Sequence, residues 1–356
     1  MNKRTIKHEP PSPPESVSCG ETGQPGAEGP PAMKVLVIAK GKTGIPQTTL
    51  WEALGRLCRV EMVEFGEWEM AHYAEALRRL DFSRYDRVVL DQNIRRIGRQ
   101  YPALRAVPNL VFLEQDACQH FIPESRWHGR YEAVFRDIGR LRVVVSNRTC
   151  EAAFRRGGLD CVCLAKAVDE KAIQNLHQPR DIVFGYVGRV NHAVYTRRRA
   201  LLEQVRTPLG LEMLRTESGD TAGYNRLLNR MRFFVSADVG MNEYMFKNFE
   251  AMAAGCVLLA QRQPALEQEA LGFLDMEHLA LYEDARELIE KAERLRRDPA
   301  LADRIAARGQ ALVLDRHTMS RRAAELHDLI QPPIRSARAL SFAERVRHLW
   351  SRPFWR

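Results

Sequence analysis

From residue 33 onward the chain alternates two patterns: short uninterrupted apolar runs, and longer stretches in which apolar residues recur every three or four positions. The first run, MKVLVIAK at 33–40, has no in–out alternation, which fits a strand covered on both faces as in a parallel sheet. The same reading predicts strands at 35–39, 60–65, 87–90, 109–113, 142–145 and 161–164, with helices at 48–57, 70–80 and 148–156 between them. After a connector at 169–180, a second set opens with IVFGYVG. Its strands are predicted at 182–187, 210–214, 233–237 and 256–260, and its helices at 197–205, 224–231, 246–254, 285–297 and 301–313. This rhythm predicts an α/β protein of two Rossmann-like, doubly wound domains, 33–178 and 179–330, facing a cleft.

The flanks differ in kind. Residues 1–32 hold seven of the eighteen prolines, four glycines and no Phe, Tyr or Trp, so they cannot bury enough apolar area to offset ordering, and a disordered tail is expected. Met33 is then a candidate first residue of the folded chain. At the other end, 331–356 carries six Arg and one Glu, a basic amphipathic tail. Ser341 to Glu344 reads as a capping box, and Phe342, Val346, Leu349 and Trp350 fall on one helical face, away from Arg345, His348 and Arg352. Such a helix can lie on an anionic membrane leaflet, or its aromatic face can pack back on the first domain.

Composition narrows the function classes. In 356 residues no apolar run reaches the roughly 18 positions of a membrane-spanning helix, and the start lacks a signal-peptide core, so a cytoplasmic protein is expected. Seven scattered cysteines show no zinc spacing and read as reduced thiols. A net charge of +9 favours acidic partners. Nucleic acid is not expected among them, because RNP-like aromatics, finger spacing and helix-turn-helix signatures are missing.

The strongest local signal is NEYMFKNFEAMAAGCVLLA at 242–260, where a polar loop leads into a short helix, Gly255 stops it, and a buried strand follows. The helix entrance, with free N–H groups at the carboxyl edge of a parallel sheet, favours an anion such as phosphate. Lys247 adds positive charge, and the carboxylate of Glu250 can accept two hydrogen bonds from a vicinal diol such as a ribose. The alternative is a surface helix with Lys and Glu merely solvated.

These residues resemble the group 1 type of GT-B glycosyltransferases, whose nucleotide-binding half carries an FEAMAxG helix, and look closest to a divergent branch with a basic residue before FEA. The resemblance implies that Glu250, second acid of an E-x7-E motif, contacts the ribose. The first position holds Asn242, with Glu243 one residue late, so either could face the donor sugar. Gly188-Arg189, after the run at 182–187, is similar to the Gly-Arg of these enzymes, which implies a diphosphate contact for Arg189; a guanidinium suits that contact because it grips oxygens in pairs. Asn248 would add helix amides to the same site. The segment YTRRRALL at 195–202 is similar to the matching helix entrance, although Arg197 and Arg199 read as solvated. Ala167-Val168-Asp169 and His317-Thr318 resemble the turns that end the first domain and precede the closing helices.

In the first half, Gly41-Lys-Thr-Gly44 fails the Walker pattern, since Lys42 precedes the second glycine. The resemblance makes Gly41 and Gly44 candidates to line the cleft below the donor phosphates. Glu114, Gln115 and Asp116 stand where many relatives have a His, and His120 follows. Asp116 is either a base for an acceptor hydroxyl or a helix cap, and Asp91 has the same two readings.

The expectation is therefore a metal-independent, nucleotide-sugar-dependent glycosyltransferase. Asp116, His120 and Glu243 would be catalytic, and Gly44, Gly188, Arg189, Asn242, Lys247, Asn248 and Glu250 substrate-binding. No cofactor is expected, since the nucleotide sugar is a substrate. No DxD motif is present, and basic side chains would take the place of a divalent cation. The acceptor would be a glycan, including one linked to lipid at an anionic membrane surface. The alternative is a non-catalytic nucleotide-sugar binder that keeps the fold, since Asn242 is not an acid.

Overall fold

The computed structural model describes residues 17–18, 32–40, 47–216, 220–238, 240 and 242–351. Of the tail expected to be disordered, all but 17–18 and 32 lies outside the described residues, as do Gly41 and Gly44. The first sheet has seven strands, β1 (Val17–Ser18), β2 (Lys34–Lys40), β3 (Arg59–Phe65), β4 (Arg87–Asp91), β5 (Leu110–Glu114), β6 (Leu141–Val145) and β7 (Asp160–Cys163). Their order is β1-β3-β2-β4-β5-β6-β7, parallel except for the short pairing of β1 with β3. The second sheet contains β8 (Ile182–Val187), β9 (Glu212–Leu214), β10 (Met231–Ser236), β11 (Val257–Gln261) and β12 (Ala280–Tyr282), all parallel in the order β12-β11-β10-β8-β9. β5 and β6 are buried along their whole length, as uninterrupted apolar runs require of strands covered on both faces.

The two units are joined twice. The connector leaves β7 and enters β8; later the chain returns at Thr318, which caps helix Met319–Ile330 by accepting from the Arg321 N–H. Met319, Ala323, Leu326 and Ile330 pack with Val35, Val37, Leu50 and Leu54 of the first domain. The helix expected to close the second domain at 330 therefore covers the first. A helix's apolar face does not by itself say which sheet it meets. Arg142 secures the return: it ion-pairs with buried Asp160 at 3.0 Å and donates to the carbonyls of Leu329, Pro332 and Pro333.

The expected helix at 70–80 is two, Glu67–Ala71 and Tyr73–Arg78, broken at His72. The terminal helix forms at Phe342–Ser351 against helix Tyr131–Ile138, but in the opposite sense to the packing considered above. His348 is 5% exposed, whereas Phe342 and Trp350 are 84% and 77% exposed. The six described cysteines are free and buried, and no helix among the described residues is long and apolar enough to cross a membrane.

Candidate active site

In an open parallel sheet the ligand crevice lies outside the carboxyl ends of the strands. There β8 gives way to Gly188, whose φ of 150° favours glycine, and a Cβ at this position would stand 2.7 Å from Lys247 Nζ and 2.8 Å from Tyr186 Oη. The turn at Gly188 and the start of helix Phe246–Ala253 thus touch. Lys247 Nζ lies 4.5 Å from the Tyr186 ring centre, 3.2 Å from its hydroxyl and 3.4 Å from the Val187 carbonyl oxygen. Its pKa is held well below the ordinary lysine value, first by burial and then by the nearby Arg198 guanidinium, with Glu250 and Asp238 countering only in part. No described residue forms an ion pair with it.

Arg198 organises this corner from helix Thr196–Leu209. Its Nε donates to the Ala237 carbonyl and one terminal nitrogen to the Arg189 carbonyl, each at 3.0 Å, while the other donates to Met245 Sδ at 2.9 Å. One buried guanidinium thus ties together the ends of β8 and β10 and the residue before the Lys247 helix. Sequence reasoning passed over Arg198 as a site residue. A signal was present: it shares a helical face with the buried Leu202, Val205 and Leu209, whereas Arg197 and Arg199 are exposed as expected. Arg189 is exposed, and none of the described residues pairs with its guanidinium.

Glu250 is buried and accepts from the Tyr224 hydroxyl at 2.8 Å. Burial raises its pKa against the pull of that hydrogen bond and of Lys247. Asn248 corrects one expectation. Its side-chain oxygen accepts from Ser236 Oγ at 2.7 Å and its N–H donates to the Met245 carbonyl at 2.9 Å, so neither group is open to a ligand. Phe246 and Lys247 are left as the residues whose N–H groups begin the helix.

Glu243 corrects a second. It is 1% exposed, forms an ion pair with Lys166, and accepts from Ser146 Oγ at 2.8 Å and Asn147 Nδ2 at 3.1 Å. All three partners belong to the first domain, so this carboxylate clamps the two units together and has no face toward the crevice. Asn242, half-buried with φ 55°, is the more accessible member of the pair.

On the first domain, Asp116 ion-pairs with Arg95 and accepts from Asn93 Nδ2, and it makes no side-chain cap on the short helix Ala117–Phe121. His120 does not join it. The imidazole is packed among Phe121, Phe154 and Tyr131, its buried Nδ1 has no partner among the described residues, and burial with help from His128 pushes its pKa down to about 4. A histidine so depressed is a poor proton acceptor at neutral pH, which corrects its expected catalytic place. Asp91, half-buried at the end of β4, is better suited. It accepts from Trp51 Nε1 at 3.3 Å and Gln47 Nε2 at 3.5 Å, and burial raises its pKa to about 6. Among the described residues no cluster of three or more His, Cys, Asp or Glu could hold a metal ion.

Residues 170–328 match a family described as glycosyl transferase-like. As a whole the chain is similar to sucrose-phosphate synthase from Thermosynechococcus elongatus, with TM-score 0.61 and 14% identity over 83% of this chain and 98% of that one. HepE from Anabaena, solved in complex with UDP and glucose, gives TM-score 0.57 and 13% identity over 83% of this chain and 98% of that one. TarM from S. aureus gives TM-score 0.55 and 12% identity over 76% of this chain and 60% of that one. At such identities the likeness shows the fold, which is GT-B. No curated protein matches the chain in sequence.

Proposed function

We propose that this glycosyl transferase-like protein moves a sugar from a nucleoside diphosphate sugar, held against the second domain, to an acceptor over the first. The carrying observation is the corner where Lys247 and Arg198 meet the Gly188–Arg189 turn: a half-buried ammonium that forms no ion pair with a described residue, next to a buried guanidinium that it repels. A diphosphate would relieve that repulsion. As the donor bond breaks, negative charge grows on the leaving phosphate, so the same cations stabilise the transition state more than the ground state, without a metal ion. HepE, of similar fold, was solved with UDP-glucose, which supports this class of donor. Glu250 would accept from the ribose hydroxyls, Asn242 would face the sugar, and Asp91 would take the acceptor proton. A cytoplasmic setting fits the free, buried cysteines, and a glycan acceptor, including a lipid-linked one, fits a first domain that ends in a basic helix.

A second reading, binding without turnover, has one specific support: Glu243, the acid next to Asn242 in the chain, is committed to Lys166. A panel of nucleoside diphosphates and their sugars separates the two. A rise in melting temperature with a nucleoside diphosphate, and donor hydrolysis lost in Arg189→Ala and Glu250→Ala, supports transfer. The same rise with no turnover over any acceptor supports binding alone, and the absence of any rise overturns both.

A further inference from the structure

The terminal helix Phe342–Ser351 is docked with its polar side inward. Ala337 and Arg338 donate to the carbonyls of Gly139 and Gly158, at 2.8 and 2.9 Å, which fixes where the helix starts. The Ser341 N–H donates to Glu344 at 2.7 Å, and the same carboxylate takes the Arg136 guanidinium in two hydrogen bonds of 2.8 and 3.0 Å. One turn on, His348 Nε2 lies 2.8 Å from the Tyr101 hydroxyl and 3.5 Å from Asp137. Polar contacts therefore hold the helix, and Phe342, Val346, Leu349 and Trp350 are turned to the outside.

An amphipathic helix on a soluble domain normally buries its apolar stripe. Here the reverse holds. Among the described residues ten large apolar side chains are exposed; six are spread over 57–314 and four share this helix, the two most exposed of all included. Single exposed apolar residues need no explanation, whereas a clustered aromatic face does.

The charge around the face identifies what covers it. Arg345 and Arg347 are exposed on the same helix and Arg335 and Arg338 just before it, while Glu344, the one acidic residue of 331–356, is taken by Arg136. Arg347 also borders, with Arg130 and Arg136, a cavity of about 360 Å³ whose lining Glu132 and Glu344 share. A second copy of this chain would bring the same cations face to face. An anionic surface with an apolar interior matches both the aromatic stripe and the arginines.

We infer that helix Phe342–Ser351 is a membrane-docking element, which lays Phe342, Val346, Leu349 and Trp350 at the headgroup–acyl boundary of an anionic leaflet and sets Arg345 and Arg347 against lipid phosphates. The inference does not depend on sugar transfer, and its test reads no enzyme activity. The full chain is floated with vesicles of phosphatidylcholine alone and with vesicles containing roughly 30% phosphatidylglycerol. Wild type should float with the anionic vesicles and detach as salt rises. Phe342→Ser/Trp350→Ser should weaken that binding about tenfold or more, with an unchanged melting temperature because both side chains are already exposed. Arg345→Glu/Arg347→Glu should remove the preference for anionic lipid. Wild type that stays off anionic vesicles, or a serine variant that binds as wild type does, overturns the inference. So does a concentration-dependent dimer broken by the serine variant without vesicle binding, which would give the face to a second copy.

Discussion

Glu243, from the loop ahead of helix Phe246–Ala253, forms its ion pair with Lys166 of the first domain, and both side chains are almost wholly buried. Removing one partner strands the other charge away from water, which costs about 3–5 kcal/mol. Glu243→Gln should therefore lower the urea midpoint strongly. Lys166→Met/Glu243→Met, which removes both charges, should recover most of the loss even though Ser146 and Asn147 lose their acceptor. A double variant as unstable as Glu243→Gln would show that the pair does not hold the domains.

That pair also shows what could be read in the sequence. Buried strands such as β8 and β11 announce themselves as apolar runs, and the helix at 246–253 by its glycine stop, so the order of elements was legible. The closeness of Gly188 and Lys247 was legible because a strand end and a helix entrance meet at the same sheet edge. Glu243 was not, since nothing local says that a loop acid in one domain will find a lysine in the other. Arg198 was overlooked among three consecutive arginines, of which only its position faces inward. The docking sense of the terminal helix was hidden too: the sequence shows two faces, and only Arg136 and Tyr101, distant in the chain, decide which is held.

Asp91 should govern the acid limb of any transfer reaction. Its carboxyl is raised from 3.8 to about 6 in the folded chain, so it is protonated and unable to accept a proton below that pH. kcat should rise as pH passes through about 6. Asp91→Asn should lower kcat by about 10²-fold or more while leaving the thermal shift by nucleotide intact. The stability effect has the opposite sign to that of a paired carboxylate. A raised folded pKa means that Asp91's contribution is complete below its unfolded value and is lost as pH rises through about 6. Asp91→Asn should therefore flatten that part of the stability profile. A kcat profile with no inflection near this pH would remove Asp91 from the reaction.

Gly188→Ala tests the turn on which the cations converge. The new methyl would meet Lys247 Nζ at 2.7 Å and Tyr186 Oη at 2.8 Å, on a backbone with φ 150°. Strained backbone of this kind costs roughly 1–3 kcal/mol. The melting temperature should fall modestly and the nucleotide shift should disappear. If the shift survives at wild-type size, the diphosphate is not bound at this turn.

Lys247 should trade stability for binding. Its ammonium is desolvated and repelled by Arg198, so the folded chain holds the proton less tightly than the unfolded chain does. Between its lowered folded value and the ordinary 10.5 the unfolded state binds more protons, and stability should climb with pH across that window. Lys247→Met keeps the stem against Tyr186 and discards the charge. It should be at least as stable as wild type near neutral pH, should lose the climb, and should no longer respond to a nucleoside diphosphate. In wild type, an arriving diphosphate favours the charged form and raises that pKa, so binding should take up protons in the pH window between the free and the bound values. Calorimetry in buffers of different ionisation enthalpy would register that uptake, and Lys247→Met should not show it. A methionine variant that is less stable at every pH and still binds nucleotide would make this lysine a packing residue and move the phosphate site elsewhere.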